Sequence, residues 1–158
     1  MKTFINTVVC VACISVLFSC SNNGAKSQKT EPNEEQIKSL ILAKEESTLN
    51  RWYNGDPMGF IDNSWDDVTY FDPSLKSRVD SIDSFKELLT PIIGLVHVPF
   101  HRFYKPLVQV FGDIAILTFT DVFAVDKDTA RWNVTEIYQC REKEWKLIHS
   151  HWTESKVK

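Results

Sequence analysis

The sequence has 158 residues, with 18 lysines and arginines against 21 aspartates and glutamates and a formal net charge of −3. A chain of this length buries the core of one domain but not of two. Its acidic balance argues against nucleic acid or an anionic lipid surface as a partner. We therefore expect a single domain after any targeting segment, with no nucleic-acid partner.

The first 20 residues have the pattern of a bacterial lipoprotein signal peptide. Lys2 precedes an apolar run from Val8 to Phe18 that is too short to require a membrane span, and Ser19 stands directly before Cys20. We expect residues 1–19 to be removed and Cys20 to carry lipid. The lipid would tether the protein to the bacterial cell envelope, on the periplasmic side or at the cell surface. An ordinary signal peptide and an N-terminal anchor helix are the alternatives.

The four cysteines do not predict a disulfide. Cys10 and Cys13 would leave with the signal peptide and Cys20 would be acylated, so Cys140 has no partner. Packing alone must then hold the fold together. The polar residues 20–32 carry too little apolar surface to fold, and we interpret them as a flexible linker.

The folded domain, residues 33–156, is predicted to begin with helices. Asn33 and Gln36 have the spacing of a capping box, and Gly55 ends the helix that follows. Asp56-Pro57 begins a short second helix, since aspartate caps helices and proline suits the first helical position. Along the first helix, residues at three- and four-residue spacing are Ile37, Leu40, Ile41, Lys44, Thr48 and Trp52.

Strands dominate the rest of the chain. Asp67–Asp72 is strand-like and stops at Pro73, and a third helix begins at Asp80 or Ser81. Helices followed by strands indicate an α+β domain, in which three N-terminal helices pack on one face of a strongly curved, mainly antiparallel sheet. The four later strands are predicted at residues 103–111, 114–125, 130–140 and 145–153.

The sequence contains no strong catalytic motif, and four polar residues stand out instead. They are Asp72 at a strand end, Glu136 within an apolar strand, and His149 and His151 in the last strand. If Glu142-Lys143 forms a two-residue hairpin, Glu136 lies opposite His149, and the pair could act as acid and base. The alternative is a cross-strand ion pair on the solvated face, and a bulge would change the register.

Strand alternation predicts two faces for the closing strand. If the odd-numbered face lines the pocket, the even-numbered face supplies an oligomer surface through Ile148 and Trp152. The odd face carries Trp145, Leu147, His149 and His151, and the even face Lys146, Ile148, Ser150 and Trp152.

The sequence does not predict a metal site, because the last strand supplies only two histidine ligands on one face. His149 and His151 point the same way, but a metal needs at least one further convergent ligand. Hydrogen-bonded histidines that line a pocket or pack under the sheet are the favoured interpretation. His97 and His101 are interpreted as surface or structural histidines. We expect neither a metal nor another cofactor.

Five tryptophans and ten phenylalanines are more than a core of this size needs. Most belong in the core, but some can wall an apolar pocket between helices and sheet. The expected pocket residues are Trp52, Tyr70, Trp132, Tyr138 and His151, with Trp152 as a further candidate.

The order and spacing of five segments resemble the SnoaL-like group of the nuclear transport factor 2-like, or ketosteroid isomerase-like, superfamily. The resemblance covers residues 34–155. Its segments are Asn54-Gly55-Asp56, Asp67 to Pro73, Gly112-Asp113-Ile114-Ala115, Arg131 to Tyr138, and Trp145 with His149-Ser150-His151-Trp152.

The resemblance implies a cone of helices closed by a bent sheet, a deep pocket and a homodimer formed through the outer sheet face. It places the general base of ketosteroid isomerases at Asp72 and their second acid near Glu136. Their essential tyrosine falls at about Thr48, which argues against steroid isomerisation itself. The last two strands also resemble the oligomeric association domain of calcium/calmodulin-dependent protein kinase.

Three functions follow as hypotheses. The first is a membrane-tethered domain that binds a small, largely apolar molecule. The second is an isomerase, dehydratase or cyclase with Asp72 as base and Glu136 or His149 as partner acid. The third is a non-catalytic oligomerisation module, and the fold alone does not decide among them.

Overall fold

The computed structural model describes residues 32–125 and 127–155. The expected signal peptide, the lipidation site Cys20 and nearly all of the expected linker lie outside them. No helix among the described residues is long and apolar enough to cross a membrane. The elements, in chain order, are α1 Glu34–Tyr53, α2 Met58–Asp62, β1 Ser64–Phe71, β2 Val79–Asp80, α3 Ile82–Leu89, a 3₁₀ turn Thr90–Ile92, β3 His101–Phe111, β4 Ile114–Val125, β5 Asp128–Arg141 and β6 Glu144–Glu154.

Helix α1 begins with the predicted capping box. The Asn33 side chain accepts from the Gln36 amide, and the Gln36 side chain accepts from the Asn33 amide, each at 2.9 Å. The buried face differs in part from the predicted one, because Leu40 is exposed and a glutamate takes a place in the apolar stripe. The buried residues are Ile37, Ile41, Glu45, Thr48, Leu49 and Tyr53.

The two shorter helices also start where expected. Asp56 accepts from the Met58 amide at 3.1 Å, which stabilises the start of α2. Ser81, rather than Asp80, caps α3 by accepting from the Ser84 amide. These side chains satisfy amides that have no partner within the helix.

The six strands form one sheet in the order β2-β1-β6-β5-β4-β3. All neighbours are antiparallel except β1 and β6, which are parallel. Helix α1 packs against β3 and β4, and α3 packs against β1. The predicted α+β architecture, with helices on one face of a curved and mainly antiparallel sheet, is confirmed. The sequence did not predict the short strand β2 or the parallel pairing of β1 with β6.

The predicted register of the last hairpin is correct next to the turn but wrong by one residue farther from it. The two-residue turn is present, since Arg141 pairs with Glu144 and both turn residues have positive φ. The pairing then shifts, so that Tyr138 lies opposite Leu147 but Ile137 lies opposite His149. Ile148 is therefore the extra residue of a bulge. As a result, Glu136 lies opposite Ser150 and not opposite His149.

The same bulge overturns the predicted division of β6 into odd and even faces. Trp145 and Leu147 are buried before the bulge, whereas Ser150 and Trp152 are buried after it. Because an inserted residue exchanges the two faces of a strand, the inward positions change from odd to even numbers. Trp152 therefore packs in the interior and does not supply an oligomer surface.

Candidate functional site

A cavity of about 200 Å³ lies between the helices and the inner face of the sheet. Every residue that lines it is aliphatic or aromatic, so the only polar side-chain atoms among the lining residues are tyrosine hydroxyls and indole nitrogens. Ligand pockets generally combine such walls with a few placed polar groups. The lining residues are Trp52, Tyr53, Phe60, Tyr70, Phe85, Leu89, Val96, Val98, Phe123, Trp132 and Trp152.

Aromatic rings hold the cavity walls in place. Trp152 makes edge-to-face contacts with Phe60 at 6.2 Å and with Trp132 at 6.0 Å between ring centroids. Tyr70 stacks on Phe85 of α3 at 4.6 Å. Such contacts favour fixed ring orientations, so the sheet and the three helices together determine the shape of the cavity.

The segment 93–98 covers the cavity next to the end of α1. The Gly94 amide donates to the Gly55 carbonyl at 2.8 Å, and the Val98 amide donates to the Tyr53 carbonyl at 3.1 Å. Gly55 has a φ of 86°, and a Cβ there would lie 2.9 Å from the His97 ring. Glycine is required at this position because the backbone is left-handed and the ring is close.

The hydroxyl of Tyr53 donates to the carboxylate of Asp121, which is completely buried on the inner face of β4. The Tyr53 ring packs on the His101 imidazole with centroids 4.6 Å apart. Burial raises the pKa of Asp121, and hydrogen bonding to Tyr53 and the nearby His101 partly offset this rise. Burial and the Asp121 charge raise the pKa of Tyr53, so this hydroxyl stays protonated.

A second buried cluster contains two carboxyl groups, those of Glu45 on α1 and Glu136 on β5, neither of which has any exposed surface. The Tyr138 hydroxyl lies 2.8 Å from Glu45 Oε2 and 3.0 Å from Glu136 Oε2. Burial and the neighbouring Glu136 raise the pKa of Glu45 well above its usual value. Burial also raises the pKa of Glu136, although hydrogen bonds from Glu45, Ser150 and Tyr138 oppose the rise.

A chain of hydrogen bonds links this acid pair to the cavity wall. Ser150 donates to Glu136 Oε1 at 2.9 Å, and the indole nitrogen of Trp152 donates to the Ser150 hydroxyl at 2.8 Å. Trp152 lines the cavity, whereas Glu136 is not among the lining residues. The acid pair therefore stands behind the wall and contacts the cavity through two intervening side chains.

The predicted pocket residues are divided between the cavity and other positions. Trp52, Tyr70 and Trp132 line the cavity. Tyr138 lies between the two buried glutamates, and His151 is exposed on β6 with its ring 5.5 Å from Phe71.

The predicted catalytic residues do not converge at one point. Asp72 is half-buried beyond the end of β1, where it accepts from the Ser74 amide at 2.6 Å and from the Tyr70 hydroxyl. His149 is half-buried, and its Nδ1 lies 2.8 Å from the Thr69 hydroxyl. Glu136 belongs to the acid pair described above. Of these positions, Asp72 is directly hydrogen-bonded to a residue that lines the cavity.

Sequence reasoning missed Glu45, Tyr53 and Asp121, and interpreted His101 only as a surface or structural residue. Two signals were present. Glu45 lies four residues from Ile41 and from Leu49, within the apolar stripe of α1. Asp121 continues the series of inward-facing residues at alternate positions of β4, where burial of a carboxylate costs free energy unless it has a partner. The buried residues at alternate positions of β4 are Ala115, Leu117, Phe119 and Asp121.

Comparisons with known proteins support this fold. No family model and no curated protein matches the chain. A protein from Parabacteroides distasonis, provisionally named a ketosteroid isomerase, is 32% identical; the match covers 82% of this chain and 98% of that chain with a TM-score of 0.70. The chain belongs to the nuclear transport factor 2-like, or ketosteroid isomerase-like, family.

More distant solved structures share the fold. A calcium/calmodulin-dependent kinase II hub from S. rosetta is 23% identical over 74% of this chain and 95% of that chain, with a TM-score of 0.61. A provisionally named dehydratase of the same family from Streptomyces avermitilis is 13% identical over 79% of this chain and 100% of that chain, with a TM-score of 0.65. Proteins with this fold thus include some that are named as enzymes and others that are named as kinase hubs.

Proposed function

We propose that this chain is a membrane-tethered, extracytoplasmic domain that binds a small, largely apolar molecule. The observation that carries the proposal is the cavity of about 200 Å³ with aliphatic and aromatic walls. Apolar cavities of comparable size in proteins stay dry and bind small apolar molecules such as benzene. The tether is supported by the Ser19-Cys20 boundary after a short apolar run.

The cavity volume limits the size of the ligand. Pockets for drug-sized molecules usually measure about 300 to 1,000 Å³, so about 200 Å³ suits a molecule of one or two rings. A four-ring steroid would require the walls to move. This limit agrees with the lack of a tyrosine at Thr48, which already argued against steroid isomerisation.

Calorimetric titration of the purified protein with p-xylene tests the binding proposal. We expect saturable one-site binding that Val98→Trp abolishes, because the larger side chain fills the cavity that Val98 lines. Ile93→Trp is the matched control, since it adds the same ring to the same covering segment at an exposed position. Equal binding by both variants, or no binding by the unmodified protein, would contradict the proposal.

An isomerase- or dehydratase-type activity is the second candidate. It is favoured by Asp72, whose carboxylate meets the hydroxyl of the cavity residue Tyr70, and by the buried Glu136 behind Trp152. A carboxylate base hydrogen-bonded to one cavity residue, together with a buried acid pair that shares a proton behind another, suits proton transfer next to a carbonyl. No cofactor is required for this chemistry.

A small β,γ-unsaturated ketone such as 3-cyclohexenone tests the activity, because its conjugated product absorbs in the ultraviolet and both compounds are small enough for the cavity. The expected result is acceleration over the protein-free reaction, lost in Asp72→Asn and retained in Asp66→Asn, which alters an exposed residue of β1. Rates equal to the protein-free reaction would leave binding as the function.

A homodimer through the outer sheet face is the proposed assembly, as the family resemblance implies. The outer face of the sheet carries Leu107 and Phe111, which are 56% and 58% exposed. Their cross-strand partners Thr118 and Ile114 lie on the same outer face. Exposed apolar residues on one face are typical of an interface.

A further inference from the structure

Tyr53 lines the cavity, and its hydroxyl is hydrogen-bonded to the buried Asp121. A tyrosine hydroxyl has one hydrogen to donate, and its oxygen also accepts. The hydrogen of Tyr53 is engaged on Oδ2 of Asp121, which has no exposed surface. The oxygen of Tyr53 therefore keeps its capacity to accept a hydrogen bond from a molecule in the cavity.

The surroundings of this pair have unused hydrogen-bonding capacity. Asp121 Oδ1 and His101 Nδ1 are buried without a partner among the described residues, and they lie 4.0 Å apart. Buried polar atoms in native proteins nearly always have partners, so this cluster is not a saturated structural network. His101 also contacts Asn50 Oδ1 through Nε2 at 3.0 Å, which fixes the ring that packs on Tyr53.

The other polar atoms on the wall are less suited to a ligand. The indole hydrogen of Trp152 is engaged on Ser150, and a ring nitrogen of this kind accepts nothing. The hydroxyl of Tyr70 meets Asp72, a half-exposed carboxylate that also accepts two hydrogen bonds from Ser74. Water competes at Asp72 but is excluded from Asp121, so a hydrogen bond at Tyr53 is stronger.

We propose that Tyr53, held by Asp121 and His101, selects ligands that are apolar over one or two rings and carry one hydroxyl group. The ligand hydroxyl donates to Oη of Tyr53, and the rings fill the aromatic cavity. This inference rests on the proposed function, because the ligand must first enter the cavity. It adds the chemical class of the ligand and the residue that recognises it.

Two isosteric probes, p-cresol and p-xylene, test the inference because they differ only by a hydroxyl in place of a methyl group. In a wholly apolar cavity p-cresol binds more weakly, since its hydroxyl loses hydrogen bonds to water. We expect p-cresol to bind the unmodified protein at least as tightly as p-xylene. Tyr53→Phe should weaken p-cresol roughly tenfold, as expected for one hydrogen bond, and leave p-xylene unchanged. Tyr104→Phe, the matched control, removes a tyrosine hydroxyl from a residue that does not line the cavity and should change neither affinity.

The variant Tyr53→Phe leaves Asp121 without its donor, so the double variant Tyr53→Phe/Asp121→Asn provides the same test without an unpaired buried carboxylate. If the unmodified protein binds p-xylene but binds p-cresol more weakly, the inference is overturned while the proposed function stands. An unchanged p-cresol preference in the Tyr53 variants would also overturn it. Failure of both probes to bind the unmodified protein would refute the proposed function, and the inference with it.

Discussion

Glu45 on α1 and Glu136 on β5 share a single hydroxyl donor, that of Tyr138, in an interior that excludes solvent. One hydrogen cannot satisfy two carboxylates, and two adjacent buried anions repel each other. The pair must therefore hold a proton. We assign this proton to Glu45, whose pKa is raised well above its usual value by burial and by Glu136. Glu136 then remains the anion that accepts from Tyr138, Ser150 and Glu45.

This proton makes the stability of the fold depend on pH. Because the pKa of Glu45 is higher in the folded than in the unfolded state, its contribution is fully present below the unfolded pKa of about 4.3 and is lost as pH rises through the folded pKa. Glu45→Gln keeps a side chain of nearly the same shape that can hydrogen-bond to Tyr138, and it needs no added proton to stay neutral. We therefore expect the free energy of unfolding of this variant, measured relative to that of the unmodified protein, to be higher at pH 8 than at pH 5.

Urea unfolding of both proteins at the two pH values measures this difference. Glu46→Gln is the matched control, because Glu46 is the exposed neighbour of Glu45 on the same helix. Its profile should run parallel to that of the unmodified protein. A parallel profile for Glu45→Gln as well would show that Glu45 does not hold the proton.

The bulge at Ile148 predicts that substitutions at two residues of β6 reduce the free energy of unfolding by different amounts. Leu147 is 1% exposed, so Leu147→Ala should cost about 2 to 5 kcal/mol by leaving a cavity in the core. His149→Ala loses a half-buried hydrogen bond to Thr69, worth at most about 1.5 kcal/mol, and edge contacts with the rings of Phe71 and His151. Thermal or urea unfolding measures both costs. His149→Ala should leave p-xylene binding unchanged, and a larger cost for His149→Ala than for Leu147→Ala would contradict the assigned faces.

The lipoprotein signal predicts that Cys20 carries lipid and that the mature protein partitions with membranes. Metabolic labelling of cells with a fatty-acid probe should mark the unmodified protein but not Cys20→Ala. The variant should also leave the membrane fraction. Cys140→Ala is the matched control, because it removes the described cysteine of the domain and should not affect labelling. Equal labelling of Cys20→Ala and the unmodified protein would refute the lipid anchor.

The outer sheet face predicts how the protein assembles. Replacing both Leu107 and Phe111 by aspartate should convert a dimer to a monomer in sedimentation equilibrium, because a desolvated interface does not accept four unpaired charges per dimer. Leu40→Asp, at an exposed position of α1, should leave the mass unchanged. A monomeric unmodified protein, or a dimer that survives the double substitution, would refute this interface.

Local signals in the sequence were enough to predict most of the secondary structure. The capping box at Asn33, the cap at Ser81 and the turn at Glu142-Lys143 depend on residues a few positions apart, so their chemistry is visible in the chain. Trp52, Tyr70 and Trp132, which were expected at a pocket, line the apolar cavity, because large aromatics in a fold of helices on a curved sheet tend to line the space between the layers.

The register of β6 and the composition of the two polar clusters were decided by tertiary structure. A bulge inserts one residue without a clear sequence signal, and that residue alone moved Glu136 from His149 to Ser150. Glu45 and Glu136 are 91 positions apart, as the numbering shows, and meet only when α1 packs on the sheet. Tyr53 and Asp121 likewise meet through packing of α1 against β4. The sequence by itself determined which elements form and the apolar character of the pocket, because periodicity and capping are local. Only the tertiary structure decided which polar groups reach one another, because burial and partner choice depend on contacts between distant segments.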